Sequence, residues 1–231
     1  MSKNRIQSGN EILIDWFVRN WKVQEVDLYE ICRNHKVDLI VPVSYTTLPD
    51  RLVDATLANL KNAAHIHSVF RDSHIAFASC ESTGYPFSGA GNIEDLFKEQ
   101  FLGVHDIKPL IAPHMGNTID EAYKIKLTLD TVGIHPKGIM ICTGELHGPS
   151  AKLVYRMFFP ESRIFISTVS YRLEIQPDHP VLDQRTMNRW ILSNVKRQAA
   201  LRACYGIWKI NRPLGLKCLH VLRKIKHKAA N

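Results

Sequence analysis

The chain has 231 residues, 45% of them hydrophobic, which is enough to fill the core of one sizeable domain and excludes global disorder. Its formal net charge of +8 is unevenly spread: 12 of the 30 Lys and Arg residues follow Asp183 with no acid among them, while residues 1–183 hold 18 basic and 22 acidic side chains, a net of −4. The five cysteines, Cys32, Cys80, Cys142, Cys204 and Cys218, are dispersed without a CxxC pair, which argues against a disulfide framework or zinc ribbon and suits reduced, buried thiols.

Residues 9–23, "GNEILIDWFVRNWKV", place apolar side chains at helical spacing behind a capping Asn10, and 26–37 continue as a second helical segment. "DLIVPVSY" (38–45) is a β-branched run that reads as the first strand, with Pro42 awkward inside it. An amphipathic helix over 48–67 follows, with Leu52, Ala55, Leu57, Leu60 and Ala64 on its apolar side, and then a short strand, "HIAFAS" (74–79). The Gly-rich connection 81–92 is longer than a minimal turn, as site-lining loops often are. A helix is predicted over 92–104, a strand over 107–113, a helix over 117–133 ended by Gly133, and a strand over 137–144. A helix over 150–160 and a fifth strand over 162–168 complete the pattern. Strands that are apolar throughout, alternating with helices, predict an α/β fold: a parallel sheet of about five strands covered on both faces.

In such a sheet, ligands bind beyond the carboxyl ends of the strands. The rule selects Ser44 and Arg51 after the first strand, Ser79 and Glu81 after the second, and Asn117, Thr118 and Glu121 after the third. After the fourth, "ICTGELHGPSAK" supplies Thr143, Glu145, His147 and Ser150. Bland readings stand beside these: Thr118 with Glu121 makes a T-x-x-E capping box, Asn117 is an alternative cap, and Ser150 suits the start of the fourth helix. The convergence of hydroxyl, carboxylate and imidazole groups on four successive strand ends favours a binding site. Glu145 and His147, two residues apart, suit acid–base chemistry, with Glu121 as a second catalytic carboxylate. Two potential ligands do not make a metal site, and none is predicted. "GYPFSGAG" fits neither dinucleotide nor P-loop fingerprints, and G-x-S-x-G and H-E-x-x-H are absent.

The order of these motifs resembles the SanA/ElyC/YdcF-like family over residues 38–166. "DLIVPVSY" with "RLVDATLANL" is similar to that family's opening strand and R-x-x-x-A-x-x-L helix, and "IAFASCES" to its second strand. "NTIDEA" resembles its N-T-x-E-N segment, and "ICTGELHGPSAKLVYRMFFP" its T-S-x-x-H-x-x-R-A segment. Ser44-Tyr45-Thr46-Thr47 replaces the usual Gly-rich turn, Ala122 stands where Asn is common, and Ser150 stands where the family carries Arg. The resemblance implies a Rossmann-like three-layer domain over 1–183, including the N-terminal helical segment, with 184–231 as a basic helical extension. It also implies S-adenosylmethionine as a cofactor in one branch, and surface-glycan or envelope metabolism in others.

The extension reads as two basic amphipathic helices, 184–208 and 215–228. The first would bury Trp190, Ile191, Val195 and Ala199, and the second Leu214, Cys218, Val221, Leu222 and Ile225. Such helices suit an anionic membrane surface or a polyanionic substrate; docking on the sheet with a solvated basic face explains them equally well. Nucleic acid is not predicted, because aromatic interleaving is thin and no recognised module is present. The polar start predicts no signal peptide, and no run reaches about 18–20 uninterrupted apolar residues. The expectation is therefore a cytoplasmic, membrane-peripheral enzyme binding a nucleotide-like or phosphorylated small molecule. The alternatives are an S-adenosylmethionine-dependent transferase and a non-catalytic ligand sensor or assembly factor.

Overall fold

Five parallel strands form one sheet in the computed structural model, which describes residues 16, 19–20, 27–45, 52–80, 109–115, 117–177 and 182–228. They are β1 (Leu39–Pro42), β2 (His74–Cys80), β3 (Leu110–Met115), β4 (Gly138–Gly144) and β5 (Arg163–Val169). Their order across the sheet is β3-β2-β1-β4-β5. The α/β class and the parallel sheet are as the residue pattern predicts.

Alternation along the strands divides the core into two layers. Leu39, Val41, Ile139, Ile141, Ile164 and Ile166 face one side, together with residues of α3 (Thr118–Thr131), α4 (Gly148–Phe158) and α5 (Met187–Ile210). Ile40, Ile75, Phe77, Met140 and Cys142 face the other, against α1 (Leu28–Asn34) and α2 (Asp54–Val69). Every residue of β4 is buried, because β1 and β5 flank it and helices cover both of its faces.

Local chemistry explains where the elements start and stop. Asp27 caps α1 by accepting from the Tyr29 and Glu30 N–H groups, so that helix begins later than its apolar pattern alone suggests. β1 pairs with β2 only at Leu39 and Ile40 but with β4 as far as Pro42. Pro42 therefore sits where pairing on the β2 side has ended, and its missing N–H leaves no gap in that ladder. α3 ends in a Schellman turn: Gly133, at φ 73°, donates to Asp130 O, and Ile134 N donates to Leu129 O. α2 begins at Asp54, later than the pattern suggests.

After β5 come two short 3-10 turns, Tyr171–Glu174 and Leu182–Gln184, and then a helical hairpin of α5 and α6 (Arg212–Lys228). Asn211 alone separates the two helices; its side chain caps α6 by accepting from Leu214 N at 3.0 Å. Trp190, Leu201, Cys204, Trp208 and Leu219 of the hairpin join the core on the α3–α4 side of the sheet. Gly215 packs against the backbone of Trp208, where a Cβ would collide, so the two helices are in close contact. The α6 face that packs inward carries Gly215 and Leu219, whereas Leu214 and Val221, expected on the apolar side, are about half exposed at 49% and 56%. Ala199 is likewise exposed on α5. Among the described residues, no helix is long and apolar enough to cross a membrane. The expected helices over 9–23 and 92–104 and the loop 81–92 lie outside the described residues, save that Trp16, Arg19 and Asn20 are helical.

Ile141 has no exposed surface at the centre of β4, so Ile141→Ala should cost about 3 kcal/mol in urea unfolding through lost burial and the cavity left behind. Leu192→Ala, at a position 54% exposed, should stay within about 0.5 kcal/mol of the parent.

Candidate functional site

From β1 the chain runs outward through β2 to β3, then returns to the other side of β1 as β4. The crevice beyond the carboxyl ends of β1 and β4 is therefore the topological switch point, where sheets of this kind bind ligands. Val43–Tyr45 after β1, the first turn of α3 after β3, and Gly144–His147 after β4 meet there.

Around the exit of β1 sits a group of polar side chains with unused capacity. Asn59 of α2 donates to Val43 O at 2.8 Å, and Ser44 N donates to Glu121 Oε1 at 3.4 Å. The Ser44 Oγ, Asn59 Oδ1, Asn117 Nδ2 and Glu121 Oε2 atoms are buried and, among the described residues, have no hydrogen-bond partner. Each such orphan costs about 1–3 kcal/mol in a finished core, so several on one pair of backbone residues call for an explanation. Glu121 has no exposed surface, and burial pushes its carboxyl up from 4.5 to about 8; the Ser44 N–H opposes that rise and Asp120 adds slightly to it. At neutral pH this carboxyl is mostly protonated and able to donate.

On the β4 side the crevice is filled by a hydrogen-bonded aromatic cluster centred on Glu174. Its Oε1 accepts from Leu146 N at 3.1 Å, and its Oε2 accepts from the Tyr45 hydroxyl at 3.0 Å and Trp190 Nε1 at 3.1 Å. The Tyr45 oxygen in turn accepts from Gly144 N at 3.0 Å and lies 3.3 Å from Thr143 Oγ1. Gly144 is required here, because a Cβ would overlap the Glu174 carboxyl. Burial raises Glu174 to about 8, opposed by those donors and by Arg197. When Glu174 is protonated the bond to Tyr45 can reverse, Tyr45 then donating to Thr143.

His147 stacks on Trp190 with centroids 6.3 Å apart and meets Tyr45 edge-on at 5.6 Å. Arg197 donates to its Nδ1 at 2.9 Å. A guanidinium cannot accept, so Nδ1 is the acceptor and the ring proton of neutral His147 lies on Nε2, 2.8 Å from Thr118 Oγ1, which accepts it. Arg197 also lies over the Trp190 ring at 5.3 Å.

The structure brings Ser44, Asn117, Thr118, Glu121, Thr143 and His147 to one end of the sheet. Asn117, not Thr118, is the cap of α3: its Oδ1 accepts from Ile119 and Asp120 N–H, leaving the Thr118 hydroxyl for His147. Glu145 accepts from Tyr171 N at 3.1 Å and so pins the first 3-10 turn. Ser150 is fully buried in α4, where its Oγ accepts from Gln198 Nε2 at 2.9 Å; its hydroxyl ties α4 to α5. Ser79 belongs to β2, and Arg51 and Glu81 lie outside the described residues. Glu174, Trp190 and Arg197 were not expected at the site. The signal for Trp190 and Arg197 was available in α5, whose buried stripe carries Asn194 and Gln198, polar groups that a purely apolar interface would not use. Among the described residues, no three His, Cys, Asp or Glu side chains are grouped to hold a metal ion.

No protein-family model matches the chain, and neither does a curated protein or a solved structure.

The two raised carboxyls make stability depend on pH with a definite sign. Between about pH 4.5 and about 8, folded Glu121 and Glu174 hold protons that the unfolded chain releases. Their contribution should therefore be lost as pH rises across that window and level off above it. Melting temperatures recorded from pH 5 to 9 should show this decline, and Glu121→Gln should make it shallower.

Proposed function

We propose that the end of β1 is a small-molecule site and that the protein is an enzyme acting there on a nucleotide-like or phosphorylated ligand. The reading rests on the Glu121 carboxyl, fully buried with its Oε2 unpartnered, beside Ser44 and Asn117, which also have unused polar atoms. A ligand that supplied partners for these groups would remove the cost of burying them. At the start of α3 the Asn117 carbonyl is already used on the Ile119 and Asp120 N–H groups, so its Nδ2 is the atom left to donate to that ligand.

In this reading Glu121 is the general acid, delivering its proton to a leaving oxygen, while Ser44 and Asn117 hydrogen-bond the substrate. His147 and Glu145, expected as the acid–base pair, serve as positioning residues: His147 orients Thr118, and Glu145 holds Tyr171 beside the Glu174 cluster. The resemblance to SanA/ElyC/YdcF-like proteins suggests surface-glycan or envelope precursors as the substrate class. S-adenosylmethionine is the competing ligand.

Thermal-shift and ligand-detected NMR measurements with uridine diphosphate, sugar phosphates and S-adenosylmethionine should identify which class raises the melting temperature. On a substrate so found, Glu121→Gln should keep the fold and lower kcat about 100-fold or more, the usual share of a general acid. Unchanged turnover would remove Glu121 from that role, and stoichiometric binding without turnover would make the protein a sensor.

The hairpin supports a cytoplasmic enzyme that docks peripherally on a membrane. Ile210, Leu214 and Val221 are exposed apolar residues near the exposed cations Lys209, Arg212 and Lys217. Each cation would contribute about 1 kcal/mol near an anionic leaflet. In flotation assays the protein should follow phosphatidylserine vesicles but not phosphatidylcholine vesicles, and Leu214→Asp/Val221→Asp should reduce capture. Equal behaviour with both lipids would sink the docking idea.

A further inference from the structure

Between α4 and α5 lies a cavity of about 240 Å³ whose lining shares no residue with the β1 end. Pro149, Lys152, Leu153 and Arg156 form one stripe of α4, spaced to share a single helix face, and Gln198 and Arg202 form the facing stripe of α5. Three of these six residues are cations and none is acidic. Among the described residues, neither Lys152 nor Arg156 has an ion-pair partner, although both line the same hollow. Long basic side chains normally carry their charged ends out into water. Here Lys152 is half-buried while Arg156 and Arg202 stand exposed at the rim, and burial together with the neighbouring Arg156 lowers the Lys152 pKa.

Gln198 also borders the hollow with unused polar capacity. It is 2% exposed, its Nε2 donates to Ser150 Oγ, and its Oε1 has no partner. A half-turn of the amide would let the Ser150 hydroxyl donate to Oε1 and free the two N–H donors for a ligand.

We infer that this cavity is a second site, binding the phosphate group of a phosphomonoester or pyrophosphate ligand. Three cations lining one hollow match a multiply charged anion better than a single carboxylate, and two guanidinium groups offer paired donors to phosphate oxygens. The volume falls below the roughly 300–1,000 Å³ of pockets that enclose a whole small molecule. The hollow is open to solvent, so it receives the phosphate while the group that carries it stays outside.

Calorimetric titration of the full-length protein with inorganic pyrophosphate tests the assignment. Pyrophosphate should bind, more weakly as salt is added. Lys152→Gln/Arg156→Gln should weaken binding about tenfold or more per cation removed. Arg202→Gln alone is the second variant, should the double variant not fold, and should weaken binding by a similar factor per cation. Lys61→Gln on the exposed face of α2 should bind as the parent does, which separates this site from general basicity. Capture by phosphatidylinositol-4-phosphate vesicles that is lost in the double variant assigns the phosphate to a lipid headgroup. Pyrophosphate binding without such capture assigns it to a soluble ligand. Absence of pyrophosphate binding by the parent, or binding undiminished in the variants, overturns the proposal.

Discussion

The Glu174 carboxyl is the point on which this architecture turns. It joins four segments that are remote along the chain: the Tyr45 turn after β1, Leu146 after β4, its own 3-10 turn after β5, and Trp190 at the start of α5. A carboxyl removed from water is costly unless donors replace the lost hydration, and three donors surround this one. The donors are positioned only if all four segments are in place. The group therefore binds the hairpin to the strand ends more specifically than apolar contact alone could, and through Trp190 and Arg197 it sets the environment of His147.

Two buried carboxyls thus lie at one end of the sheet under different constraints. Glu174 has donors on both oxygens, whereas Glu121 has one N–H on Oε1 and, among the described residues, nothing on Oε2. The first is a satisfied structural centre. The second retains unused bonding capacity, and on that difference rests the proposal that Glu121 takes part in chemistry while Glu174 holds structure.

Much of this was legible in the residues, for identifiable reasons. "GIMIC" is apolar throughout because β4 is covered on both faces, so a buried parallel strand announces itself without periodicity. Ser44, Asn117, Thr118, Glu121 and Thr143 could be found because strand ends in an α/β sheet are predictable places. Glu174 could not, since nothing local marks "YRLEIQ" as the partner of a tyrosine more than a hundred residues earlier. Leu214 and Val221 misled because helical periodicity ranks faces by apolarity, whereas α6 is oriented by the fit of Gly215 against Trp208.

That fit has a mechanical consequence. With one residue between α5 and α6, a glycine at their contact and Leu219 sunk in the core, the positively charged hairpin has no slack relative to the sheet. It is an outrigger fixed to the hull and not a rope. Whatever surface the hairpin rests on sets the attitude of the whole molecule, so the end of β1 would face one constant direction with respect to that surface.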